Sequence, residues 1–222
     1  MPDSAQSNWL QKLWDFFRKL FGVGDKPAPP STPTPDPEPP ANGRFIAIDA
    51  GHGGDDTGAI NQAVGINEKT VTLAISQQLQ RILESRGHEI LMTRRTDVFV
   101  PLGQRAELAN TAGTEIFVSI HCNSAENAGA TGIETYHHSN SELGKALAAE
   151  VHRALIAAFP SHQNRGVKSA NFQVLRETQM PACLVETEFI SNHQQAQFLA
   201  NPANQEKIAR AIADGIKAYF QQ

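Results

Sequence analysis

The chain has 222 residues, 40% of them hydrophobic, and a formal net charge of −4. This suits one domain of ordinary size with an appendage, and it excludes the concentrated basic face expected of a nucleic-acid-binding protein. No run of 18 apolar residues is present, so no transmembrane helix is expected. The N-terminus lacks the order of basic, apolar and small residues that makes a secretory signal.

Three segments follow in chain order. Residues 1–25 hold an expected amphipathic helix. Over residues 8–21, Trp9, Leu10, Leu13, Trp14, Phe17, Leu20 and Phe21 fall on one helical stripe, while Lys12, Asp15, Arg18 and Lys19 take the other side. Such an apolar face marks an interaction site. A membrane surface is the favoured partner, because aromatic residues face one way and cations the other. Self-association, a protein partner and docking onto the remainder of the chain are the alternatives. Residues 26–43 form a linker, and half of residues 26–41 are proline. An extended polyproline run of that length reaches on the order of 50 Å.

Residues 44–222 form the expected catalytic domain, and all eight histidines lie there. Apolar runs predict strands over 45–49, 88–93, 115–121, 132–138 and 182–187. Helical periodicity predicts helices over 68–86, 102–111, 141–159, 193–199 and 202–221. Alternation of the two types predicts an α/β three-layer sandwich, with a mainly parallel or mixed sheet flanked by helices. Cys122 and Cys183 sit in apolar runs and are expected as buried free thiols.

In open α/β sheets, functional groups gather at the carboxyl ends of strands. His52 follows the first strand in the glycine-rich segment AGHGGDDTG, and His121 ends EIFVSIH. Glu68 opens the first long helix, and Glu186 lies in ACLVETEF. Two histidines and a carboxylate suit a zinc ion with one position left open. A further carboxylate suits general-base work. Each residue taken alone also has a structural reading. A histidine at a strand end often only packs, and Glu68 would complement a helix N-terminus. The glycine-rich loop lacks the Lys-Ser/Thr of a phosphate-binding P-loop.

The segments IDAGHGGDDTGA, NEKTVTLAIS, LMTRRTD, LGQRAELAN, VSIHCNS, GIETY, NFQVLRET, MPACLVETEFISN and IARAIADGI occur in this order. Together they resemble the zinc-dependent N-acetylmuramoyl-L-alanine amidases of bacterial cell-wall turnover, the autolysin family, over residues 44–221. The resemblance implies one Zn²⁺ held by His52, Glu68 and His121, with Glu186 as the general base. It implies hydrolysis, by zinc-activated water, of the amide joining N-acetylmuramic acid to L-alanine in peptidoglycan. Work outside the cytoplasm or in the cell wall is then expected. Period-two alternation places Glu186 and Glu188 on one side of a strand, so spacing leaves Glu188 as a second choice of base. Asn123 is a candidate for orienting substrate, and Arg176 for binding a stem-peptide carboxylate. His137 and His138 are read as structural.

Some relatives insert a blocking helix after the GIETY-like strand. Here that strand runs almost directly into the next helix, so activity without an activator protein is expected. The rival readings are another zinc hydrolase, carboxypeptidase-like in its chemistry, and a silent peptidoglycan-binding module.

Overall fold

A computed structural model describes residues 43–222. The expected amphipathic helix and nearly all of the proline-rich linker lie outside these residues. Eight strands are present: β1 (Phe45–Ala50), β2 (Ile60–Asn61), β3 (Ile66–Asn67), β4 (Glu89–Met92), β5 (Ile116–Asn123), β6 (Ile133–His137), β7 (Asn164–Ser169) and β8 (Ala182–Phe189). The helices are α1 (Glu68–Ser85), α2 (Leu102–Ala112), α3 (Glu142–Ala158), α4 (Gln173–Glu177), α5 (His193–Ala200) and α6 (Pro202–Tyr219).

Six strands form one mixed sheet in the order β4-β1-β5-β8-β6-β7, and β2 and β3 make a separate small hairpin. Every neighbouring pair in the large sheet is parallel except β6 and β8. Alternation along the strands divides the core into two faces. Ile46 and Ile48 of β1, with Ile116, Val118 and Ile120 of β5, pack in one cluster with Ile75 and Leu79 of α1, Leu147 and Val151 of α3, and Ile212 and Ile216 of α6. The intervening Asp49 of β1 turns to the other face, where Arg105 of α2 meets it. Helix α4 packs against α2 and β8. The result is the expected three-layer α/β sandwich.

The helices begin where sequence chemistry places their caps. The Asn67 side chain accepts the Thr70 amide at the start of α1, and Ser141 does the same for Gly144 in α3. Pro202 opens α6 within its first turn, where the missing N–H has no intrahelical partner to lose. Both cysteines are buried and free, as expected.

Three elements were not expected: the β2–β3 hairpin, β7 and α4. Strand β7 reads NRGVKS, with no fully buried position, so it lacks the apolar alternation that betrays a half-buried strand. As an edge strand it takes its order from pairing with β6. No helix among the described residues is long and apolar enough to cross a membrane.

Candidate metal centre

His52 leaves the end of β1 in the left-handed backbone region, at φ 60°. A non-glycine residue held there costs energy and clusters at functional sites. The surrounding structure enforces it through buried hydrogen bonds. Arg105 donates to the His52, Ala50 and Val100 carbonyls and pairs with Asp49 at 2.8 Å. Arg94 donates to the carbonyls of Ala50, Gly51 and Lys69. Thr72 of α1 donates to the Gly51 carbonyl. The strand end, the segment after β4, α1 and α2 are thereby tied to one loop. Gly51 is required by close approach, because a Cβ there would lie 2.4 Å from the His121 ring.

Glu68 enters from the first turn of α1 and is buried, with 4% of its surface exposed. Its Oε1 lies 3.1 Å from His52 Nε2 and 3.0 Å from His121 Nδ1. The donor atoms of His52, Glu68 and His121 all fall within 4.8 Å of one another. Donors sharing one ion at ~2.0–2.1 Å sit roughly 3.3 Å apart, and the two Glu68 separations are of that size. The cluster could hold a metal ion. The backbone amides of Ala59 and Cys122 donate to the Glu68 carboxylate and fix it. Burial opposes ionisation of Glu68, but its bonds and charge interactions with His121 and His52 outweigh burial. They hold its carboxyl well below the usual range.

Asp56 completes the arrangement. Both its carboxylate oxygens lie 2.9 Å from His52 Nδ1. A carboxylate on the outer nitrogen fixes the tautomer and turns Nε2 inward as the ligand, the usual support for a metal-binding histidine. Burial alone would lower the His52 pKa, yet the bonds to Glu68 and Asp56 raise it. Asp56 lies in the glycine-rich segment AGHGGDDTG, where spacing alone does not distinguish it from Asp55.

The second half of the site crosses the sheet. His121 pairs in register with Glu186, and Glu186 with Glu134 on the far side. The Glu186 Oε2 atom is buried with no hydrogen-bond partner. Burial, with the nearby charges of Glu68 and Glu134, pushes its pKa well above the ordinary value.

Glu188 differs. It is fully buried, and its carboxylate lies 2.8 Å from His162 Nδ1 and accepts the amides of Gly132 and Phe189. A one-residue bulge lies between the His121↔Glu186 and Asn123↔Phe189 pairs. It breaks the period-two alternation that put the two glutamates on one side.

Glu134 is bound on both oxygens. Asn123 and Tyr136 donate to Oε1, and Arg165 and Lys168 donate to Oε2. Burial would raise its pKa, but Lys168, Arg165 and Tyr136 hold it at about 2. Asn123 thus lies beside the cluster. The Arg176 guanidinium donates to Asn171 and Glu177, and Arg176 lines a groove with Met180 and Pro181 at the start of β8. His137 is buried, with Nδ1 on the His138 carbonyl, as a structural reading requires. Cys122 Sγ lies against Thr187, away from the donor set.

The family model for N-acetylmuramoyl-L-alanine amidase matches residues 46–218, a span that contains every residue of this site. The chain belongs to that family. Among its relatives are an uncharacterized protein of Bacillus subtilis, YqiI, 37% identical over 82% of this chain and 88% of its own length. N-acetylmuramoyl-L-alanine amidase LytC of the same organism is 34% identical over 90% of this chain, which spans only 40% of LytC. The solved N-acetylmuramoyl-L-alanine amidase AmiC2 of Nostoc punctiforme superposes with a TM-score of 0.77 at 38% identity, covering 81% of this chain and 98% of that one. This chain is therefore an amidase of the cell-wall family, and the three-layer sandwich is that family's fold.

Proposed function

We propose that this amidase cleaves the bond between N-acetylmuramic acid and L-alanine of peptidoglycan at the His52–Glu68–His121 cluster, with zinc as the ion and Glu186 as the general base. The observation that carries the reading is the convergence of three donors from separate elements beside one buried, unpartnered glutamate oxygen. Two imidazoles and a carboxylate are a donor set that suits zinc and leaves a position open. When bound, zinc supplies Lewis-acid polarisation of a carbonyl and lowers the pKa of water.

The chain's own residues supply the remaining steps. Glu186 Oε2 accepts the proton of the attacking water. It returns that proton to the L-alanine nitrogen as the C–N bond breaks, which releases a free amine. Burial and neighbouring negative charge raise the Glu186 proton affinity, which suits a group that must hold a proton between two steps. Glu188 cannot serve in this way while three donors occupy its carboxylate. Asn123 is the substrate-orienting candidate this reading keeps, because its amide reaches Glu134 beside Glu186. Arg176 is given no role in it. Peptidoglycan as substrate places the work outside the cytoplasmic membrane.

Metal analysis and turnover on peptidoglycan test the assignment together. Glu186→Gln is expected to retain one zinc per chain and lose turnover by roughly 10²–10⁴-fold. His121→Ala is expected to lose both. Loss of zinc in Glu186→Gln would make Glu186 a ligand and overturn the roles. Full turnover in Glu186→Gln would remove it from the reaction.

A further inference from the structure

We infer that Arg165 and Lys168 form a receptor for a carboxylate on the stem peptide, close to the scissile bond. The inference rests on the amidase reading and names a charge-selective subsite within it.

Glu134 sits directly across the antiparallel β6–β8 pair from Glu186. Side chains at such positions lie about 4.5–5.5 Å apart at Cβ. On its other side the Glu134 carboxylate holds Arg165 Nε at 2.9 Å and Lys168 Nζ. One carboxylate thus faces two cations, leaving one positive charge in excess. Both cations are part-exposed, with 31% and 39% of their side chains accessible, while Glu134 is buried at 3%.

Donors remain to be used. Lys168 has three N–H groups and Glu134 takes one. Arg165 commits Nε to Glu134, and its Nη1 only approaches the Thr131 carbonyl at 3.5 Å. The Arg165 guanidinium lies over the Phe189 ring and the Lys168 ammonium over the Tyr136 ring. Anchored in this way, the pair presents its spare N–H groups from a fixed position, and an arriving anion has little ordering left to impose.

Other cations around the centre are already committed. Arg94 and Arg105 are 2% exposed and donate to backbone carbonyls. Lys69 is paired with Asp97 at 2.7 Å. A groove lined by Ile60, Asn61, Ala128, Ser191, Asn192 and His193 holds no Asp, Glu, Lys or Arg. A groove without carboxylates, lysines or arginines suits neutral glycan, whereas the Arg165–Lys168 corner suits an anion.

Reach agrees with this division. Neighbouring strands lie ~4.8 Å apart, so Lys168 on β7 is roughly 10 Å from the β8 backbone at Glu186. An extended dipeptide spans about 7 Å. With the L-alanine nitrogen at Glu186, a carboxylate on the second residue of the stem peptide falls at the Arg165–Lys168 pair. Charge-assisted bonds from two cations are stronger than neutral ones.

Calorimetry on the zinc-loaded protein tests this with two probes. One is the stem tripeptide whose second residue, a γ-linked glutamate, carries a free α-carboxylate, and the other is the same tripeptide with that group amidated. The acid is expected to bind roughly tenfold or more tightly than the amide. Lys168→Met is expected to bring the acid-to-amide ratio near one, with Lys168→Arg restoring the preference and Arg176→Ala retaining it. Thermal melting of each variant separates lost recognition from lost folding. Equal affinity of the two peptides for the wild-type protein, absence of binding by both, or loss of the preference in Arg176→Ala would each overturn the inference. Failure to release free L-alanine amines from peptidoglycan would instead overturn the amidase reading.

Discussion

His52, Glu68 and His121, which the sequence sets at or near strand and helix ends, come together in one cluster, whereas Glu186 lies inside β8, three residues short of its end. Asp56 was not legible in the sequence, because an acidic residue in a glycine-rich loop reads as a solvated turn residue. Only the fold brings its carboxylate to His52 Nδ1. Asp56→Asn keeps the shape and removes the charge, so it tests the supporting role alone. Metal affinity is expected to fall about 10–100-fold, measured by competition with a chelator, while circular dichroism stays native. An unchanged affinity would reduce Asp56 to a loop contact. Arg94 and Arg105 were hidden for a different reason. A buried arginine that gathers backbone carbonyls has no sequence period, and LMTRRTD and LGQRAELAN give no other sign of what Arg94 and Arg105 do.

The apolar elements lie within a residue or two of the ends that periodicity predicts. The layers and the helix starts near 68 and 141 followed from periodicity, while the strand order of the sheet did not. What escaped was polar or irregular: β7, whose residues are never fully buried, and the β8 bulge that turns Glu188 to His162. A bulge is one extra residue in a ladder and leaves no compositional trace.

Helix packing supplies a prediction that runs against propensity. Alanine in place of a helical glycine ordinarily stabilises by about 1 kcal/mol. At Gly215 of α6, however, an added Cβ would lie 2.5 Å from Val151 Cα and 2.8 Å from the Glu150 carbonyl oxygen on α3. Both atoms are backbone, so the two helices must part. Gly215→Ala is therefore expected to destabilise by about 1–3 kcal/mol in urea denaturation. A stabilised variant would show that α3 and α6 do not pack this closely.

At the scale of the whole molecule, the connection between β6 and α3 spans residues 138–141 and leaves no space for an inserted helix. The described domain is therefore proposed to act without an activator protein. Its candidate metal site, the unpartnered Glu186 oxygen and the Arg165–Lys168 pair follow one another across β5, β8, β6 and β7, an order that suits a substrate lying across the strands. Mass spectrometry of peptidoglycan digested by the purified, zinc-loaded chain, with no other protein present, tests the central claim most directly. The account predicts stem peptides ending in a free L-alanine amine, together with glycan strands stripped of peptide. Peptides cut internally, with L-alanine still joined to N-acetylmuramic acid, would contradict it and point to a carboxypeptidase-like hydrolase.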